Sequence, residues 1–162
     1  MRHVHSDERV ELLKGVWLFE RCTRKELAAL ARLATPVVVE QGRVLAKEGT
    51  PGKEFVVVVD GVASATVDGE EIGQVGPGSF FGDLALLDAG PRTATLRADT
   101  PMLVLVLDRS EFNSLLDRAI PSVGRRMLVT LAERLRAERL RAEGLRKAGA
   151  RVASDAERLS EL

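Results

Sequence analysis

Between Lys53 and Arg92 the chain carries no basic residue, while Glu54, Asp60, Asp68, Glu70, Glu71, Asp83 and Asp88 are acidic. A single guanidinium in such a stretch, directly after Gly90-Pro91, is suited to gripping one specific anion. Its planar fork offers paired donors to phosphate oxygens. Just upstream, Gly82 leads into Leu84 to Leu87, too short for an independent helix but enough for one helical turn. The opening amides of such a turn have no partner inside it and point one way, which makes an anion site. Ala85 keeps that surface low. Asp83 can accept hydrogen bonds from hydroxyls of the same ligand, such as a ribose, or simply cap the turn. The acids ahead of Arg92 read as a solvated face that sharpens selectivity and argues against nucleic acid at this place.

Other chemistries find little support. Cys22 is the only cysteine of 162 residues, so there is no intrachain disulfide and no cysteine cluster for zinc. The two histidines, His3 and His5, sit at the N-terminus, and no Ser/His/Asp or Cys/His set with supporting context appears. No metal site, cofactor or catalytic group is expected, and the expectation is a non-enzyme. No apolar run approaches the ~18 residues of a membrane span and no signal-peptide core is visible, so a cytoplasmic protein without a membrane span is expected. Net charge is zero, yet residues 125–151 hold nine basic against three acidic side chains. For most of those arginines the plain reading is a solvated outer face around a leucine seam.

The elements that must position Arg92 follow from periodicity. Ser6 to Gly15 reads as a helix capped by Ser6, Val16 to Phe19 as an apolar plug, and Thr23 to Glu26 as a capping box opening a second helix with Leu27, Leu30, Ala31 and Leu33 on one face. The period then shortens. Val37 to Val39, Val44 to Ala46, Phe55 to Val59, Val62 to Val67, Thr93 to Ala98 and Met102 to Leu107 are short β-branched or apolar runs between turn sequences, with Asp68-Gly69 a hairpin signal. Such spacing predicts an antiparallel sandwich or roll. Asp108 to Glu111 opens another helix, with Phe112, Leu115 and Leu116 inward, and Pro121 begins the last one. In that helix Leu128, Leu135 and Ala142 with Leu131, Glu138 and Leu145 follow a heptad, continuing weakly to Val152 and Leu159. Gly144 and Gly149 each cost about 1 kcal/mol in a helix, so fraying is expected there.

The stretch FGDLALLDAGPRTATLRA, Phe81 to Ala98, resembles the phosphate-binding cassette of the cyclic-nucleotide-binding domain family, whose pattern is roughly F-G-E-[aliphatic]-A-L, a variable stretch, then P-R-[TSA]-A-T. Gly49, Gly61, Gly73 and Gly78 also sit where that family has structural glycines, and the element order matches from about Val10 to Leu135. The resemblance implies an α+β fold: an antiparallel β-roll (a double-stranded jelly roll of about eight strands), flanked by N-terminal helices and a C-terminal helix pair, with a short phosphate-binding helix inside the roll. The expected layout is a helical segment over 1–34, the roll over 35–107 with its cassette at 81–95, helices over 108–143, and a frayed tail over 144–162.

Carried over residue by residue, the resemblance implies that Arg92 pairs with the cyclic phosphate, that Gly82 with the amides of Leu84 and Ala85 completes the cradle, and that Asp83 takes the place of the glutamate that binds the ribose 2′-hydroxyl. Thr93 stands where a hydroxyl touches the phosphate or a guanine amino group, or is a plain strand residue. Val75 is a candidate base wall, and Arg134, Glu138 and Arg139 on the last helix are candidate base covers without a motif. Aspartate in place of glutamate loses one methylene of reach, more than a hydrogen bond tolerates without backbone adjustment or a bridging water. The implied function is a stand-alone sensor of cAMP or cGMP that signals by helix rearrangement, through a homodimer seam on the C-terminal helix or an unidentified effector protein. No tandem helix-turn-helix follows the roll, so no direct DNA-binding domain is expected. The competing reading is a degenerate fold that binds no nucleotide and serves dimerisation or protein interaction. A cupin-like metal roll would need histidines in the strands, where there are none.

Overall fold

A computed structural model describes residues 3–88 and 90–161; Ala89, inside the cassette stretch, lies outside them. Eight strands form two four-stranded antiparallel sheets. One contains β1 (Thr35–Val39), β8 (Met102–Asp108), β3 (Glu54–Asp60) and β6 (Phe80–Phe81), in that order; the other contains β2 (Val44–Ala46), β7 (Thr95–Ala98), β4 (Ala63–Val67) and β5 (Glu70–Val75). Packed together they make the expected α+β roll.

β3 and β8 occupy the centre because both of their faces are buried. In β3, Phe55, Val57 and Val59 face the helices while Val56 and Val58 face the second sheet, and β8 divides the same way into Leu103, Leu105 and Leu107 against Met102 and Val104. Unbroken valine and leucine runs are the signature of strands covered on both sides. β5 (EEIGQV) has no such run: it is an exposed edge whose Ile72 is open to solvent, and it was legible only through the hairpin turn before it. That turn forms, with Asp68 (φ 51) and Gly69 (φ 82) both left-handed, as a two-residue hairpin demands. Two-residue β6 offers no sequence pattern at all. The expected strand from Thr93 begins only at Thr95, because the backbone of 90–92 is bonded instead to the loop ahead of β3: Gly49 N to Arg92 O (2.8 Å), Arg92 N to Thr50 O (2.8 Å) and Gly52 N to Gly90 O (3.1 Å).

Helices cover the outer face of the first sheet. α1 (Ser6–Lys14) inserts Val10 and Leu13; its N-cap is His5 rather than Ser6, which is already helical. The plug, a 3-10 turn over Trp17–Phe19, buries Leu18 and Phe19, with the Phe19 ring edge-on to Phe55 at 5.9 Å. α2 (Arg24–Leu33) begins at the predicted capping box, in which Thr23 and Glu26 satisfy each other's amides. α3 (Arg109–Ser114) is capped by the Asp108 carboxylate and buries Phe112 completely, and a π-helical turn over Leu115–Ala119 leads to Pro121.

α4 (Pro121–Ser160) runs for 40 residues, which corrects the expected ending near Glu143 and the frayed tail beyond it. At 1.5 Å per residue its length is about 60 Å. Alanine, leucine, arginine and lysine around Gly144 and Gly149 are strong helix formers and offset the two glycines. Its first part is docked: Val123, Met127 and Thr130 are buried. Ser122 Oγ donates to Glu26 Oε2 (2.6 Å), Arg126 Nε lies 2.6 Å from Glu26 Oε1 as an ion pair off the ideal N–H axis, and Arg21 forks onto Glu133. From residue 133 to 161 every position is exposed. The seam residues Leu128, Leu135, Leu145, Val152 and Leu159 are all between 62 and 75% exposed.

Candidate functional site

Arg92 is held at a narrow junction. Its Nη2 donates to the Glu54 carbonyl oxygen (2.8 Å), and its guanidinium carbon lies 6.0 Å from the centre of the Phe81 ring, the outer limit of a cation–π contact. The rest of the side chain lies against two glycines. A Cβ on Gly52 would fall 2.7 Å from Arg92 Nε, and one on Gly82 would collide with both Arg92 Nη1 and the Glu54 carbonyl. Gly82 also has φ 75, which only glycine adopts without strain. Burial lowers the pKa of the guanidinium from its ordinary value and the Glu54 carboxylate opposes that shift.

Beside Arg92 opens a cleft of about 310 Å³ between the cassette and the second sheet. Ala46, Ala65, Val75, Phe81 and Leu96 form its apolar wall, while Gly82, Asp83, Asp88, Arg92 and Thr93 mark its polar end. Its size lies at the lower end of small-molecule sites, and an apolar wall with a few converging polar groups is their usual composition. Among the described residues no group of three or more His, Cys, Asp or Glu side chains could hold a metal.

The remaining expected residues fall in three places. Asp83, Leu84 and Ala85 lie in the predicted short turn, Asp83–Leu86, directly after Gly82. The Ala85 amide donates to the Gly82 carbonyl (3.0 Å), so in this conformation it closes the turn. Asp83 borders the cleft, and its carboxylate accepts a hydrogen bond from Trp17 Nε1 (2.8 Å). Thr93 lies in a bend at the cleft edge, outside β7. Val75, ending β5, lines the apolar wall. Arg134, Glu138 and Arg139 are not brought to the cleft, which corrects their reading as base covers. α4 passes along the plug instead: Arg134 stacks over the Trp17 ring at 4.2 Å, Glu138 pairs with Arg141 (3.3 Å), and Arg139 is exposed.

Sequence reasoning missed Trp17, Gly52 and the Glu54 carbonyl. Gly52 was visible only as one glycine of a turn. Trp17 lies 66 residues from its partner Asp83, and no local spacing signals that pairing.

The family model for the cyclic nucleotide-binding domain matches residues 36–119, from β1 to the turn before α4. The chain belongs to the cyclic nucleotide-binding domain family. Over 132 residues this domain is 30% identical to the "CRP-like cAMP-activated global transcriptional regulator" of Mycobacterium tuberculosis, spanning 78% of this chain and 58% of that protein. It is 32% identical over 136 residues to the "Acetyltransferase Pat" of Mycolicibacterium smegmatis, spanning 82% of this chain and 40% of the other. The domain thus covers only about half of the curated relatives it matches. Among solved structures, the N-terminal domain of a transcriptional regulator from Streptomyces coelicolor A3(2) superposes with a TM-score of 0.71 at 32% identity, over 79% of this chain and 92% of that one.

Proposed function

We propose that this domain is a non-enzymatic receptor for a 3′,5′-cyclic nucleotide and passes occupancy of its cleft to α4. The observation that carries the reading is Arg92, a part-buried cation cornered by Gly52 and Gly82 at the polar end of an otherwise apolar cleft. A cyclic nucleotide has the matching polarity: one phosphate charge, one ribose hydroxyl and a flat, largely apolar base. Arg92 takes the phosphate, helped by Gly82 and by the Leu84 and Ala85 amides once the turn opens to share them. Asp83 accepts from the 2′-hydroxyl, Thr93 lies within the phosphate region, and Val75 packs against the base. Between cAMP and cGMP, the mycobacterial relative named for cAMP favours cAMP. The response then travels through α4 to an effector protein or to a second copy of the chain.

Calorimetric titration with both nucleotides tests the reading. Saturable binding is expected, and Arg92→Ala should lose about 2 kcal/mol or more, because the phosphate is left without its charged donor. No binding by either nucleotide at high micromolar concentration, or a variant that binds like the parent, would overturn it. A second reading, a nucleotide-free interaction module, is favoured by one fact: Asp83 and Arg92 already have internal partners in Trp17 and Glu54. A melting temperature unmoved by excess nucleotide would support that alternative.

A further inference from the structure

Trp17 touches two things that matter. Its indole N–H, the only donor on that ring, points to Asp83 Oδ2 at 2.8 Å, and its face carries Arg134 of α4 with the guanidinium carbon 4.2 Å from the ring centre. The backbone beneath is fixed, since Val16 and Leu18 on either side of Trp17 are 1% exposed. Trp17 itself is only half-buried, so its ring can turn without unpacking the core. Asp83 itself lines the cleft.

We infer that Trp17 and a nucleotide hydroxyl compete for the same carboxylate, Asp83, and that the seat of Arg134 on α4 depends on which of them holds it. The inference rests on the cyclic-nucleotide reading above and adds a positioning residue to it. An aspartate has two side-chain torsions and a short stem. Turning its carboxylate toward a hydroxyl in the cleft draws it away from Nε1, which the longer glutamate of the family pattern would reach past with ease. The released indole loses the bond that fixes its plane, and the guanidinium stacked on that plane loses its platform. The neighbouring anchors, Arg21 to Glu133 and Arg126 to Glu26, do not involve Trp17. Release therefore acts where α4 leaves the body, from Arg134 onward, and leaves its docked first turns in place.

The contact lowers apparent affinity, because a nucleotide must first displace an existing charge-assisted bond. A binding-competent state populated at one-tenth weakens binding tenfold. Removing the indole N–H while keeping a ring should therefore tighten binding, the opposite of what loss of a merely structural residue would do.

Trp17 is the only tryptophan and the chain has no tyrosine, so its emission reports on this contact directly. The full chain is titrated with cAMP and with cGMP while heat and tryptophan emission are followed in parallel. Emission is expected to shift and to saturate at the same nucleotide concentration as the heat. Trp17→Phe is expected to bind about tenfold more tightly by calorimetry. Arg134→Met, which keeps the stem and removes the cation, should shift the emission before any nucleotide is added and tighten binding about threefold. Heat of binding with unchanged emission, or a Trp17→Phe variant that binds no more tightly than the parent, overturns this inference and leaves the receptor reading standing. Absence of heat with both nucleotides sinks the two together.

Discussion

At Arg92 the decisive residues are the ones without side chains. Gly52 and Gly82 leave the volume that the guanidinium fills, and the Glu54 carbonyl between them fixes its direction. Gly52 is the cleaner probe, since Gly82 needs its left-handed backbone as well. Gly52→Ala should push Arg92 out of its corner while the fold persists. Nucleotide affinity is expected to fall by about 2 kcal/mol, with unfolding free energy changed by less than about 1 kcal/mol. Calorimetry and urea unfolding of the same variant check both halves, and a variant that binds like the parent would show that the corner is dispensable. At this scale the sequence was informative about charge and uninformative about shape. Arg92 stood out because the 38 positions before it hold no other cation, while Gly52 and Trp17 matter only through contacts across 40 and 66 residues, which no local pattern records.

Among the elements, α4 departs furthest from expectation. A helix exposed at every position beyond Arg134 must keep its leucines in water or lay them against a partner. The heptad places Leu128, Leu135, Leu145, Val152 and Leu159 along one seam, which fits a second copy. The same frame flanks that seam with Arg139, Arg141 and Arg146, so two parallel copies would bring like charges together. Salt should therefore strengthen the pairing, since the Debye length shrinks from about 10 Å at 0.1 M to about 3 Å at 1 M. Sedimentation is expected to show more dimer at high salt than at low, and Leu135→Lys with Leu145→Lys to give monomer throughout. A dimer that survives both substitutions would place the contact elsewhere. The leucine periodicity was legible from sequence; continuation through Gly144 and Gly149 was not, because propensity sums over neighbours and two costs of about 1 kcal/mol are outweighed by the strong formers around them.

For the molecule as a whole, the junction between the two helical ends turns on Glu26. Burial alone would push its carboxyl up, but hydrogen bonds from Ser122 and Thr23 and the Arg126 charge more than offset that, and it lies below its ordinary value of 4.5. A carboxylate whose pKa is lower in the folded than in the unfolded chain stabilises fully above the unfolded value, and that contribution is lost as pH falls through the folded one. Urea unfolding should therefore show stability declining from about pH 5 downward. Glu26→Gln should cost about 1–2 kcal/mol at neutral pH, and its deficit relative to the parent should shrink on acidification. A deficit equal at pH 7 and pH 3.5 would remove Glu26 from this role. The capping box itself was readable, Thr23 to Glu26 being a local signature. That its glutamate also receives α4 was not readable, since the partners lie 96 and 100 residues further on.

That separation has a consequence for how the chain is made. Ser122 and Arg126 reach Glu26, and Glu133 reaches Arg21, only after nearly everything between has been synthesised, and β1 likewise waits for β8. The first helices therefore emerge from the ribosome long before the polar anchors that tie them to α4 exist, and wait for those anchors through most of translation, at about 5–20 residues per second. α2 carries its own capping box through that interval and needs no distant partner to begin. Folding closes late, when the early part of α4 arrives and seals the two ends of the chain over the same sheet.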